Sequence, residues 1–382
     1  MKYMGSKRMM LQNGLGELIS ECAPRASRIV DLLCGAGSVA WFAAEKTNCP
    51  VLAIDLQDYA VTLARAVVGR DAPLDPVKLS DAWLPVAKRH RNRCRLWHRA
   101  SKLEDRSTKR LVESAREICA MPSSIGPIWN AYGGYYYSPA QALTLDYMLR
   151  YLPANVTSRV ACRAAAIWAA SKCAAAPGHT AQPFRPTRSA GRFIREAWQR
   201  DPLVDAKAAL AKICPRHARV TGESLRSDAL EIAPTLTPKD LVIVDLPYSG
   251  VQYSRFYHVL ETIARGTCGP VEGAGRYPAI QERPQSSFCN KSESKTSLDK
   301  LLSTLATAGC SVILTFPSGE CSNGLSGQIV TEMASTRFDI RRRIVKTSFS
   351  TLGGNNAIRK ARNSADELLL HLQPNKKLQP VS

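Results

Sequence analysis

Apolar residues in this chain gather in short runs, two of which stop abruptly at a carboxylate. Ile29-Val30-Asp31-Leu32-Leu33-Cys34, Val51-Leu52-Ala53-Ile54 before Asp55, and Leu241-Val242-Ile243-Val244 before Asp245 each read as a short buried strand. Between the runs the period lengthens. Leu11, Leu15, Leu18 and Ile19 share one face of a helix predicted over residues 11–21. A second helix containing Trp41, Phe42, Ala43 and Ala44 follows the first strand. Ala60, Leu63, Ala64 and Val67 recur at helical spacing after the second. This alternation predicts half of a nucleotide-binding α/β unit.

The pattern changes between residues 71 and 215. An Ala-rich helix is expected over 164–176, and Phe193 with Trp198 suggests a shorter one. The α/β alternation returns at 219–222 and 227–230, ahead of the strand at 241–244. An interruption on the order of 140 residues is better explained as an inserted domain than as a structureless loop. The expected division is therefore an α/β domain in two parts, 1–75 and 216–382, around an insertion at 76–215. Further along, 311–317 reads as a strand, and 338–346 with 367–372 as an antiparallel pair. Residues 266–297, rich in Gly, Pro, Ser and Lys, read as a mobile loop. Gly353-Gly354-Asn355-Asn356 with Arg359, Lys360 and Arg362 reads as a flexible basic loop.

Charge adds a partner to this picture. Of the 382 residues, 52 are Lys or Arg and 32 are Asp or Glu, a formal charge of +20. Such an excess points to a polyanion, nucleic acid first and an anionic membrane surface second. Much of it lies between Lys88 and Arg110, where Arg91, Arg93 and Arg95 alternate and the only acids are Glu104 and Asp105. With so few acids to pair them, these cations are expected to contact phosphates. The aromatic stretch 129–138, with paired glycines and Tyr136, either stacks bases or packs a loop onto the core.

Other classes drop out. No apolar run reaches the roughly 18–20 residues of a membrane span. The basic start, Met1 to Arg8, lacks the apolar segment of a signal peptide. The 12 cysteines include no Cys-x-x-Cys pair, so free thiols in a reducing cytoplasm are expected. Cys214 and His217 lack a second pair at zinc spacing, and no metal site is expected.

Two motifs carry candidate chemistry. Gly35-x-Gly37-x-x-Ala40 follows the first strand, and Asp55 comes about twenty residues after Gly35, where an acid meets ribose hydroxyls. NAD and S-adenosyl-L-methionine both satisfy this local pattern. Asp245-Leu246-Pro247-Tyr248 stands just beyond a strand's carboxyl end, where open α/β sheets place their ligands. A turn or helix cap is the plain structural role for an Asp there.

Together, Lys2-Tyr3-Met4-Gly5-Ser6-Lys7-Arg8, Asp31-x-x-Cys34-Gly35-x-Gly37-Ser38, Asp55 and Asp245-Leu246-Pro247-Tyr248 resemble the Dam-like, class alpha adenine-N6 DNA methyltransferases. The continuation from Gln252 to His258, which includes Arg255, is similar to bacterial and phage members. One position departs: Leu246 stands where that family usually has proline. The resemblance implies a Rossmann-like methyltransferase sheet with an inserted, mainly helical target-recognition domain. It implies S-adenosyl-L-methionine as cofactor and transfer of its methyl group to N6 of a flipped-out adenine in double-stranded DNA. Asp245, the Leu246 carbonyl, Pro247 and Tyr248 would hold the target base. Tyr3, Lys7, Asp31, Cys34, Gly35, Gly37 and Ser38 would line the cofactor site, with Asp55 on its ribose and Asp228 on its adenine amine. Arg91, Arg93, Arg95, Tyr136 and Arg255 would contact DNA. The resemblance implies a cytoplasmic, nucleoid-associated location in a bacterium or phage, and it leaves open whether a companion restriction endonuclease exists. Cytosine-N4 transfer and a DNA-binding protein with an inactive methyltransferase core are the alternatives.

Overall fold

Seven strands form one sheet: β1 (Arg28–Asp31), β2 (Val51–Asp55), β3 (Glu223–Arg226), β4 (Asp240–Asp245), β5 (Ser311–Pro317), β6 (Phe338–Ser350) and β7 (Arg362–Pro374). Their spatial order is β3-β2-β1-β4-β5-β7-β6. Neighbours from β3 through β5 are parallel, and β7 runs antiparallel to both β5 and β6. This is a mixed α/β structure with a mostly parallel central sheet, compatible with a Rossmann-like fold. Ile29, Val30, Ala53, Ile54, Val242 and Val244 are wholly buried. Burial on both faces is why their strands read as unbroken apolar runs rather than alternating ones.

The structure is a computed structural model that describes residues 7–103, 107–121, 124–350 and 362–375. It divides into two compact units. The sheet unit comprises the described residues of Gly5–Ala72, His217–Tyr253 and Gln285–Ser382. Its core joins Val30, Ile54, Val242 and Leu314 to Leu298, Leu301, Leu302 and Leu305 of the helix Ser294–Thr307. The helix expected over 11–21 is two, Arg8–Gln12 and Leu15–Cys22. The break falls at Gly14, whose φ of 104° interrupts helical geometry.

The other unit contains Pro73–Arg216 and also Ser254–Pro284. It is mainly helical. Asp75 and Asp201 cap the helices Pro76–Asn92 and Pro202–Ile213, each with proline in the first turn. The Ala-rich helix runs from Val156 to Cys173, earlier at both ends than expected. Trp83, Trp129, Tyr132, Tyr136 and Tyr137 are fully buried here.

Residues 266–297 are not the mobile loop their composition suggests. Val271–Glu272 pairs with Tyr277–Pro278 as a short antiparallel hairpin. The Gly275 carbonyl lies 2.9 Å from the Tyr136 hydroxyl and 2.9 Å from His258 Nε2. Arg276, at a φ of 53°, donates from Nε to the Ala131 carbonyl at 2.8 Å. The remainder holds the turn Ser287–Cys289 and the start of the helix Ser294–Thr307. The expected basic loop at 353–360 lies outside the described residues, and among those residues no helix is long and apolar enough to cross a membrane.

Candidate active site

Four consecutive positions across the sheet, β3-β2-β1-β4, each end at or near a carboxylate: Asp228, Asp55, Asp31 and Asp245. The strand order turns back between β1 and β4, and crevices at such a reversal are where these sheets bind ligands.

On the β1 side the backbone folds tightly. Cys34 N–H reaches the Ile54 carbonyl at 2.9 Å, and Gly37 N–H the Cys34 carbonyl at 2.8 Å. Gly35 and Gly37 both take left-handed φ values, 50° and 76°, which side chains disfavour. A Cβ on Gly37 would also lie 3.2 Å from Trp41 and 3.3 Å from Ala64. This glycine therefore serves close packing. Gly35 N–H donates to Asp55 Oδ2 at 2.9 Å, and Gln57 N–H to Asp55 Oδ1 at 2.9 Å. Asp55 thereby ties the loops after β1 and β2. Burial pushes its carboxyl up to about 6 against these two donors and the backbone N–H of Leu56.

Asp31 is more deeply enclosed, at 2% exposure. Backbone N–H groups of Leu33 and Ala40 favour its charged form, but Oδ2 has no hydrogen-bond partner among the described residues. Burial first, and the nearby Asp245 second, push its carboxyl up to about 8. Burial likewise raises the Cys34 thiol and keeps it neutral. Ser38 opens the helix Ser38–Lys46. Asp228 caps the short helix Ala229–Ile232 by accepting from Leu230 N–H at 2.8 Å. The structural role foreseen for an Asp at a strand end is thus filled by Asp228.

On the β4 side, Asp245 caps nothing. Its Oδ1 receives Lys7 Nζ at 2.9 Å and the Thr315 hydroxyl at 2.9 Å. Lys7 is 3% exposed and also lies 3.1 Å from Glu367 Oε2. Burial opposes the Lys7 charge, but Asp245 and Glu367 outweigh it and raise its affinity for the proton. Burial raises Glu367, with Lys7 opposing. The Leu246 side chain is 1% exposed and part of the sheet core. Asn323, wholly buried, donates from Nδ2 to the carbonyls of Pro247 at 2.8 Å and Phe288 at 3.1 Å. Its Oδ1 accepts from Leu325 N–H at 3.2 Å. Tyr248 packs partly against the core, and burial pushes its phenol up to about 12.

Thr315, Asn323 and Glu367 escaped the sequence reading. A glutamate opening the apolar run Leu368-Leu369-Leu370 was the one available sign, since a buried acid at that place needs a cation.

Two expected DNA contacts are corrected. Tyr136 is wholly buried, with its hydroxyl 2.7 Å from the Thr180 carbonyl, so it offers no face to a base. Arg91 is 6% exposed. It donates to Thr144 Oγ1 at 2.9 Å and to Asn92 Oδ1 at 2.8 Å, and it stacks 3.6 Å from the Trp97 ring centroid. Arg93 and Arg95 are exposed. Arg255 is exposed too, its Nε donating to the Tyr277 hydroxyl at 3.2 Å. Tyr3 lies outside the described residues. None of the twelve cysteines forms a disulfide, and no group of described residues has metal-ligand geometry. No family model and no curated protein matches this sequence.

Proposed function

We propose that this protein is a site-specific DNA methyltransferase acting on N6 of adenine with S-adenosyl-L-methionine. The observation that carries the reading is the pairing of two motifs on adjacent strands. The Gly loop, with Asp31 and Asp55, follows β1 and β2, and the Asp245-Leu246-Pro247-Tyr248 turn follows β4 beside them.

The residues present fit the cofactor. Backbone N–H groups of Gly35, Gln57 and Leu56 turn to Asp55, and of a carboxylate's roughly four acceptor sites one remains for a ribose hydroxyl. Asp31 Oδ2 is a buried carboxyl oxygen with no hydrogen-bond partner among the described residues. The methionine ammonium of S-adenosyl-L-methionine supplies the charge such a group needs. Asp228 retains acceptor capacity for an adenine amine beyond its cap. When bound, the cofactor supplies an electrophilic methyl group.

The chain's part is positioning and electrostatics. An exocyclic amine is a poor nucleophile because its lone pair is delocalised into the ring. Asp245 and the Leu246 carbonyl, each accepting one amine hydrogen, favour a pyramidal nitrogen and aim its lone pair. They also stabilise the positive charge that develops there. Lys7 stands between Asp245 and Glu367, and one cation against two carboxylates leaves the cluster anionic when all three are charged. The base must leave the duplex to reach this turn, and Tyr248 lends it a stacking surface. The exposed arginines near residue 93 hold phosphates.

The test is nucleoside mass spectrometry of DNA incubated with the protein and labelled cofactor. N6-methyladenine is expected, and Asp245→Ala should lower its single-turnover rate on the order of a hundred- to a thousandfold with cofactor affinity changed little by comparison. N4-methylcytosine would move the target to cytosine. No methylated base on DNA of varied sequence would leave a DNA-binding protein with an inactive core.

A further inference from the structure

The sheet register sets Thr315 of β5 directly opposite Asp245 of β4. Thr315 is 1% exposed, so it touches Asp245 but not a substrate. Its single hydroxyl proton is committed to Asp245 Oδ1, the oxygen that Lys7 also meets. No described residue donates to Oδ2. The two donors differ in stiffness. Lys7 reaches Asp245 on a four-carbon stem, whereas a β-branched side chain in a strand has little freedom at χ1. The terminal torsion of an aspartate is broad when nothing holds it, and the Asp245 side chain is 23% exposed.

We propose that Thr315 is a positioning residue for methyl transfer: it pins Oδ1 and so presents Oδ2 to the amine of the target base. This rests on the reading of the turn after β4 as the target-base site. One strand thus supplies the acceptor, and its neighbour sets the acceptor's angle. Asn323 does the corresponding work on the backbone, holding the Pro247 carbonyl just after the Leu246 carbonyl that would take the second amine hydrogen.

The test compares Thr315→Val, which keeps the shape and loses the hydroxyl, with Thr315→Ser, which keeps the hydroxyl. Single-turnover transfer is measured on DNA that the unsubstituted protein methylates, with cofactor affinity and melting temperature in parallel. Thr315→Val should lower the rate by roughly ten- to a hundredfold, the range for one hydrogen bond to a charged group, while cofactor affinity holds. Thr315→Ser should restore most of the rate. In an Asp245→Ala background, Thr315→Val should have no further effect, because the residue acts only through that carboxylate. A Thr315→Val protein as fast as the unsubstituted one overturns the assignment. So does a Thr315→Ser protein as slow as Thr315→Val, since packing would then explain both. An unsubstituted protein that methylates no DNA removes the underlying reading itself.

Discussion

Asp31 is buried, with one carboxyl oxygen that has no hydrogen-bond partner among the described residues. Its carboxyl, raised by burial and by Asp245 to about 8, is largely protonated at neutral pH. In the unfolded chain it would ionise near the ordinary value of 3.8. Between those two values the folded protein holds a proton that the unfolded chain has lost, so stability falls as pH rises through that window and levels off above it. Asp55, raised to about 6, adds to the lower part of the same slope. A cation beside Asp31 reverses the preference. If the cofactor's ammonium binds there, Asp31 ionises, a proton is released near pH 7, and affinity climbs as pH rises toward 8. Calorimetry in two buffers of different ionisation enthalpy should register that proton for the unsubstituted protein and none for Asp31→Asn. Equal heats in both buffers for the unsubstituted protein would dissociate Asp31 from the ammonium. The melting temperature of the ligand-free protein should also depend less on pH in Asp31→Asn.

The hairpin at Val271–Glu272 and Tyr277–Pro278 shows, one scale up, how far local composition carries. Its neighbourhood is rich in glycine and proline, and such segments are read as loops because nothing local orders them. What orders this one comes from distant residues. Tyr136 and His258 both approach the Gly275 carbonyl, and Arg276 reaches Ala131. Tyr136→Phe removes a buried hydroxyl that sits between the Thr180 and Gly275 carbonyls. A loss of about 1–2 kcal/mol is expected, with faster amide exchange across 271–278. Unchanged exchange there would mean that other contacts suffice. The ends of β2 and β4 were legible for the opposite reason: each strand carries its signal in consecutive apolar residues and stops at its own carboxylate, whereas β1 ends at Asp31, short of the expected end at Cys34. Thr315 was invisible because a threonine within an apolar strand looks like any β-branched residue until the register sets it against Asp245. Arg91 did leave a trace. Leu79, Trp83, Ala87 and Arg91 are buried in one helix at spacings of four, so the apolar stripe runs into the basic block and takes one arginine with it.

At the scale of the whole molecule the formal charge of +20 divides between cations that hold the fold and exposed cations, which the proposed function assigns to DNA phosphates. Lys7, Arg91 and Arg276 belong to the first kind, committed to carboxylates, a threonine hydroxyl and a backbone carbonyl. Arg89, Arg93 and Arg95 belong to the second, exposed on or just after the helix Pro76–Asn92. Arg341, Arg342 and Arg343 on the edge strand β6 are exposed as well. A duplex bound through phosphates releases condensed counterions, so log affinity falls with log salt by about 0.9 per phosphate neutralised. Replacing Arg89, Arg93 and Arg95 together by Gln should flatten that slope by up to about 2.7, one increment per lost contact. The methylated sequence should stay the same, because phosphate contacts set position rather than word. Arg91→Gln is the control that separates the two kinds of cation. It removes a buried guanidinium whose partners are Thr144, Asn92 and the Trp97 face. It should lower the melting temperature and leave the salt slope where it was. Binding titrations from low to physiological salt measure both slopes. A triple variant with an unchanged slope would assign these arginines to solvent, and an Arg91→Gln protein that is fully stable but less salt-sensitive would exchange the two roles.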